Sequence, residues 1–121
     1  LKLCAFHHEL DSDALAARGR SVVGEQLTMT HSHLGDYGLL EISAPGVTKA
    51  FGLAALSAEL GVDPAEVAAF GDMPNDLPML AWAGHGYAIA EGHPSLVGAG
   101  FRLTEGPQDE AVGRVIMQLL G

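Results

Sequence analysis

The spacing of apolar residues changes near residue 44 and divides the chain into two parts. Before that point, strands are predicted at residues 2–6, 27–31 and 38–43, with a helix between the first two. The helix begins at Asp11 or Ser12, both good helix caps, and ends near Val23. These elements form a small α/β unit with too few parts to build a core alone.

Helices and strands alternate after Ala44-Pro45-Gly46, which is the predicted boundary. Helices are predicted at residues 47–60, 75–83 and 110–120, and strands at residues 67–70, 87–90 and 101–103. A capping box at residues 63–66 adds one helical turn. Short apolar strands are typical of a sheet covered on both faces, and the alternation predicts a parallel, doubly wound sheet of the α/β class.

Composition and charge indicate which partners are unfavourable and which cellular compartment fits the chain. The chain has 121 residues, a formal charge of −9 and a pI of about 4.8. This charge repels polyanions, so nucleic acid and anionic membranes are poor partners, whereas a small phosphorylated metabolite needs only locally concentrated positive charge. Cys4 is the single cysteine, which fits a reducing cytoplasm and predicts a small buried side chain. No apolar run reaches the roughly 18–20 residues of a membrane span.

Two carboxylates and an amide lie in one tight loop directly after a predicted strand. This carboxylate loop is Gly71-Asp72-Met73-Pro74-Asn75-Asp76. Open α/β sheets bind ligands at the carboxyl ends of their strands, and carboxylate oxygens are hard ligands that suit Mg²⁺. A simple helix cap is the alternative interpretation, and the flanking sequence decides between the two.

The flanks resemble Cof-type phosphatases of the haloacid dehalogenase superfamily. Residues 71–80 are similar to that family's fourth motif, Gly-Asp-x-x-Asn-Asp-x-x-Met-Leu. Residues 41–50, which end in Thr48-Lys49-Ala50, are similar to its lysine motif, and residues 83–90 with Pro94 match the next strand and turn. The resemblance implies that residues 45–121 are the C-terminal part of a Rossmann-like core. Residues 1–44 resemble the end of the α/β cap that this family inserts into its core.

The resemblance also implies a role for each matching residue. Asp72 would ligate Mg²⁺ directly, and Asp76 would support the metal through its water or by orienting neighbours. Asn75 would hydrogen-bond the substrate phosphate or the lysine, and Lys49 would neutralise charge on the phosphate and the nucleophile. Phosphoryl transfer depends mainly on such positioning and charge neutralisation. A cation in a first helical turn opposes the macrodipole, which favours a functional reason for Lys49 over a merely solvated one.

Two departures from the family pattern change the expected activity. The family usually has an asparagine where this chain has Glu91, followed here by Gly92-His93. Its nucleophile, in an Asp-x-Asp motif on the central strand, and the serine or threonine of its second motif have no counterpart here. Asp11-Ser12-Asp13 has the right letters but precedes a helix, so we interpret it as an N-cap pair.

The leading hypothesis is that this chain is the C-terminal portion of a cytoplasmic, Mg²⁺-dependent phosphatase for a small phosphorylated metabolite. The nucleophilic aspartate would lie upstream of Leu1, so the chain alone is expected to be inactive. A mannosyl-3-phosphoglycerate-type phosphatase is the narrower alternative. A non-catalytic or split-protein module is the alternative from another class. Without its central strand the sheet would have unpaired edges, so we expect self-association or dependence on the missing segment.

The histidines and the residues after the carboxylate loop complete the sequence-based expectations. No helical His-x-x-x-His pair is present, and His31-Ser32-His33 is expected in exposed or substrate-facing positions rather than in a metal site. Met79, Leu80 and Trp82 are expected to face the core.

Overall fold

A computed structural model describes residues 1–105 and 108–121. Its strands are β1 (Lys2–His7), β2 (Thr28–Thr30), β3 (Gly38–Ser43), β4 (Ala68–Gly71), β5 (His85–Ala88) and β6 (Arg102–Leu103). Its helices are α1 (Ser12–Val23), α2 (Lys49–Leu60), α3 (Leu77–Trp82), α4 (Pro94–Val97) and α5 (Gln108–Leu120), with 3₁₀ turns at Pro64–Glu66 and Pro74–Asp76.

The strands form two sheets of different kinds. In the first sheet, β3 lies between β1 and β2 and pairs antiparallel with both. In the second sheet, β4, β5 and β6 are parallel and occur in that order. The predicted α/β class with a parallel sheet is therefore confirmed. The assignment of residues 1–44 to a cap and 45–121 to a core stays a prediction.

Helix α1 is fixed to the first sheet by its cap and by one glycine. The carboxylate of Asp11 accepts a hydrogen bond from the amide of Ala14 at 2.8 Å, as expected for an N-cap. A Cβ on Gly19 would stand 2.9 Å from the sulfur of Met29 and 3.1 Å from Leu40. Glycine weakens a helix, but here it permits close packing of α1 on β2 and β3.

The second sheet carries the larger apolar core. Helix α2 begins after Thr48, two residues later than predicted, and ends at Gly61, whose φ of 68° is a left-handed cap. The core contains Ala69, Leu80, Ala83, Ala88 and Leu96. Leu80 is buried as predicted, and Met79 and Trp82 pack against the core.

Several elements differ from the sequence-based expectation. Strand β5 is His85–Ala88 rather than residues 87–90, because its ladder with β4 ends where Gly71 pairs with Ala88. Helix α4 was not predicted. The prediction of a buried Cys4 was wrong: it lies exposed on β1, an edge strand of its sheet. Among the described helices, none is long and apolar enough to cross a membrane.

Candidate active site

The carboxylate loop lies at the carboxyl end of β4, where the sequence predicted it. The strand ends at Gly71, and the chain closes into a 3₁₀ turn at Pro74–Asp76. A Cβ on Gly71 would stand 2.4 Å from the Cβ of Asp76. Glycine is therefore needed at this position for the Asp76 side chain to fold back against the strand end.

Asp76 is the buried centre of the loop. Only 4% of the residue is exposed. Its Oδ2 accepts hydrogen bonds from the amides of Asp72 at 3.0 Å and Met73 at 3.2 Å, and its Oδ1 forms an ion pair with the ammonium of Lys49. Both oxygens therefore have partners, and through them Asp76 orients the loop and Lys49.

Lys49 approaches the loop from the N-terminus of α2. Thr48 caps this helix through a hydrogen bond from the amide of Phe51 to Oγ1 at 3.3 Å. The side chain of Lys49 is 50% exposed, although its ammonium contacts the buried Asp76 carboxylate. The lysine thus brings an accessible positive charge to the end of β4.

Asp72 and Asn75 are the remaining polar side chains of the loop. Both residues are half-buried. Within the described part of the chain, the buried Oδ1 of Asn75 has no hydrogen-bond partner. An unpartnered buried oxygen is costly unless it has a ligand, and carboxylate and amide oxygens are the hard donors that Mg²⁺ prefers. The donor set of this loop therefore fits a magnesium ion.

A cavity of about 570 Å³ separates the carboxylate loop from the first sheet. Lys49 and Asn75 line it on one side, and Asp13, Arg20 and His31 line it on the side of α1 and β2. Its volume is in the range of small-molecule sites in proteins.

Asp13, His31 and His93 form a polar cluster in the wall of this cavity, here called the Asp13 cluster. The Nε2 of His31 lies 2.9 Å from Asp13 Oδ1, and the Nε2 of His93 lies 2.8 Å from Asp13 Oδ2. The two imidazoles meet edge to face with centroids 5.6 Å apart. Residues 80 positions apart thus join the two parts of the chain.

Sequence reasoning missed this cluster. His31 was expected in an exposed or substrate-facing position, but the residue is only 3% exposed, because its ring is covered in the packing beside α1 and His93. The sequence held one signal: His93 precedes Pro94, the first residue of α4, and caps that helix by accepting a hydrogen bond from the amide of Ser95. No local pattern indicates its partner Asp13.

The environment of Asp13 keeps its carboxylate ionised. Partial burial alone would raise the pKa of Asp13, but hydrogen bonds from His93 and His31, helped by any positive charge on those rings, lower the pKa below its usual value.

The backbone couples the Asp13 cluster to the carboxylate loop. The amide of His93 donates a hydrogen bond to the carbonyl of Asp72 at 2.7 Å. A Cβ on Gly92 would stand 2.9 Å from that carbonyl oxygen, so glycine permits the two loops to touch. The loop after β5 is therefore positioned by both Asp72 and Asp13.

Comparisons with known proteins agree on one family. A family model described as haloacid dehalogenase-like hydrolase matches residues 1–116. The 5-amino-6-(5-phospho-D-ribitylamino)uracil phosphatase YbjI of Escherichia coli is 36% identical over 90 residues, which cover 73% of this chain and 33% of YbjI. A phosphoglycolate phosphatase of Methanothrix thermoacetophila is 38% identical over 60 residues, which cover 50% of this chain and 27% of that protein.

A solved structure from Streptococcus mutans, SMU.1108c, has a similar fold. It superposes with a TM-score of 0.79 at 25% sequence identity, covering 98% of this chain and 44% of the other. The chain spans about a third or less of the length of these two curated relatives.

Proposed function

The chain belongs to the haloacid dehalogenase-like hydrolases, and we propose that it is the C-terminal, charge-handling portion of a Mg²⁺-dependent phosphatase. One observation carries the proposal: Lys49 forms an ion pair with buried Asp76 at the carboxyl end of β4, beside Asp72 and the unpartnered oxygen of Asn75. A helix cap requires neither a lysine from another helix nor an unpartnered buried amide oxygen. A phosphorylated substrate and its metal ion would interact with both: the lysine with the negative charge and the amide oxygen with the metal.

Each residue of the site has a separate task in this proposal. Asp72 supplies a carboxylate to Mg²⁺, and Asp76 holds Lys49 and the loop amides in place. Asn75 binds a phosphate oxygen through its amide group or contributes its free oxygen near the metal. When bound, Mg²⁺ supplies Lewis-acid stabilisation of charge on the phosphoryl oxygens.

The bond-making residue is proposed to lie outside these 121 residues. An upstream aspartate attacks phosphorus in line, the bond from phosphorus to the ester oxygen breaks, and that oxygen takes a proton from water to leave as an alcohol. Water then hydrolyses the aspartyl-phosphate to release inorganic phosphate. We expect the 121-residue chain alone to show weak or undetectable turnover. Lys49 lowers the cost of bringing the nucleophilic carboxylate close to the phosphate.

The proposed substrate is a small phosphorylated metabolite such as a sugar or polyol phosphate. The named relatives act on a phosphoribityl compound and on phosphoglycolate, and a cavity of about 570 Å³ has room for either. The net charge of −9 makes polyanionic partners unfavourable. The single, exposed thiol of Cys4 agrees with a reducing compartment, and we propose the cytoplasm.

The direct test is an assay of the whole protein against phosphorylated sugars, polyols and hydroxy acids, with Mg²⁺ or with a chelator. We expect release of inorganic phosphate from at least one ester only when Mg²⁺ is present. Failure to hydrolyse any ester would favour the alternative of a non-catalytic module. An upstream sequence without an Asp-x-Asp motif after an apolar strand would do the same.

A further inference from the structure

We infer that Asp13, held by His31 and His93, selects the substrate by accepting hydrogen bonds from hydroxyl or amino groups of its leaving group. The inference rests on the proposed function, because it concerns how the same site binds the part of the substrate that lies away from the phosphate. Asp13 lines the same cavity as Lys49 and Asn75. A carboxylate repels phosphate, so within this cavity it must face the other end of the ester.

The exposure of the three side chains in the Asp13 cluster indicates that Asp13 binds a ligand and does not serve packing alone. The side chains of His31 and His93 are 3% and 8% exposed, whereas that of Asp13 is 57% exposed. If Asp13 only linked two parts of the fold, its carboxylate would not need to be exposed to solvent. Here the histidine donors are buried, and the Asp13 carboxylate that they hold remains accessible to a ligand.

The carboxylate also retains free acceptor capacity. An ionised carboxylate offers about four lone-pair sites, and the two imidazoles use one site on each oxygen. One further hydrogen bond can therefore be accepted by each oxygen. Neighbouring hydroxyls of a polyol, or an amino group, supply donors of the required kind.

Hydrogen bonding favours one arrangement of the ring hydrogens in this cluster. Nδ1 of His93 accepts from the amide of Ser95 at 3.1 Å and lies 2.8 Å from the hydroxyl of the same residue, which can also donate to it, and this arrangement places the ring hydrogen on Nε2, facing Asp13. Nδ1 of His31 is buried without a partner among the described residues, so a hydrogen there would be an unpaired donor. In this arrangement both Nε2 atoms donate to Asp13 and hold its carboxylate in place.

The backbone fixes Asp13 relative to the phosphate-binding side. His93 bonds Asp13 through its ring and the carbonyl of Asp72 through its amide. His93 thus links the Asp13 carboxylate to Asp72, the proposed metal ligand. An ester bound at both ends is then held in a single orientation.

The charges around Asp13 favour neutral or amino-bearing leaving groups over anionic ones. Lys2, another cation in this wall, is paired with Glu41 at 3.0 Å. Arg20 lies two turns further along α1, about 10 Å away along the helix axis. A second carboxylate on the leaving group would be repelled by Asp13.

The test compares kcat/KM of the whole protein for ribitol phosphate and for phosphoglycolate. We expect ribitol phosphate to be preferred, and Asp13→Asn to reduce that preference roughly tenfold or more, since a lost hydrogen bond to a charged group costs this much. Asp11→Asn is the matched control: it removes the same charge but retains a capping side chain, so the preference should persist. An equal preference in wild type, Asp13→Asn and Asp11→Asn would overturn the inference.

The positioning histidines give a second readout. His93→Gln keeps an amide donor and should retain more of the preference for ribitol phosphate than His93→Ala. Equal loss in the two variants would show that His93 acts only through packing and would contradict its role in holding Asp13.

A binding experiment separates this inference from the proposed function. If the whole protein hydrolyses no ester, the proposed function fails. The ¹H–¹⁵N signals of His31 and His93 are then followed while ribitol phosphate or phosphoglycolate is added to the whole protein. Tighter binding of ribitol phosphate, weakened by Asp13→Asn, supports the inference. No binding or no preference overturns it. Zn²⁺ binding that is lost in His93→Gln would also overturn it.

Discussion

Asp76 is a buried carboxylate with three hydrogen-bonding partners. Backbone amides and Lys49 occupy its two oxygens. Removal of one partner from a buried charge is more harmful than removal of a surface pair, because the remaining charge is left poorly solvated. Lys49 itself is half-exposed, which moderates the effect.

Lys49→Met should therefore destabilise the fold. We expect a loss of about 1–2 kcal/mol in the free energy of unfolding, measured by urea denaturation. Lys2→Met is the control: the side chain of its partner Glu41 is 17% exposed, against 6% for Asp76, so loss of this pair should cost under about 1 kcal/mol. Equal losses in the two variants would contradict the buried role of Asp76.

Asp13 predicts a pH dependence with a defined sign. Its pKa in the folded state is lowered, so the folded state binds this proton less readily than the unfolded state does. The contribution of Asp13 to stability is present above its unfolded pKa of about 3.9 and is lost as the pH falls through the lower folded value. The unfolding free energies of wild type and Asp13→Asn should therefore converge on acidification. A difference that is constant from neutral pH to below pH 3 would contradict this.

The residue scale also shows what the sequence could predict. Lys49, Asp72, Asn75 and Asp76 were identified because two short segments, residues 41–50 and 71–80, resemble motifs of the family, and the structure brings Lys49 and Asp76 into contact. Their catalytic and metal-binding roles stay predictions. The Asp13 cluster escaped prediction because its members are up to 80 positions apart and meet only through tertiary packing.

At the scale of elements, glycines set the close approaches that shape the site. Gly71→Ala should force the Cβ of Asp76 away from a 2.4 Å contact, and we expect it to lower stability by about 1–3 kcal/mol. Gly52→Ala is the opposite control, because nothing lies within 4 Å of its Cβ inside α2. It should raise stability by about 0.5–1 kcal/mol. Thermal unfolding of both variants checks the prediction, and similar behaviour in the two would contradict it.

The sequence predicted the boundaries of elements correctly where neighbouring residues determine them. The cap at Asp11, the capping box at residues 63–66 and the left-handed Gly61 are decided by neighbouring residues, so α1, the 3₁₀ turn and the end of α2 were predicted well. Strand β5 was misplaced by two residues because its limits depend on pairing with β4, which no local pattern reports.

The whole molecule has apolar and backbone surfaces without partners in the described part of the chain. Strand β4 pairs on one edge only, with β5. Phe51, Leu56 and Leu60 of α2 are exposed. Exposed edges and apolar patches promote association.

We therefore expect the purified 121-residue chain to self-associate. Light scattering during size exclusion should give a mass that rises with loading concentration. A monomer at all concentrations that unfolds cooperatively would contradict this expectation, since it would show that the open edge of β4 and the exposed apolar residues of α2 need no cover.

The family of the whole chain was predicted from the sequence alone. The lysine motif and the carboxylate loop predicted a haloacid dehalogenase-like hydrolase, and the match over residues 1–116 confirms it. Substrate choice was beyond the sequence, because the cavity forms between segments far apart in the chain.

The central claim is that the carboxylate loop serves Mg²⁺-dependent phosphoryl transfer. The measurement that tests it most directly is the Mg²⁺-dependent kcat/KM of the whole protein carrying Asp72→Ala, beside Asp109→Ala on the exposed start of α5 as control. We predict a loss of roughly a hundredfold or more for Asp72→Ala and none for Asp109→Ala. Phosphatase activity that survives Asp72→Ala at the wild-type level would contradict the claim.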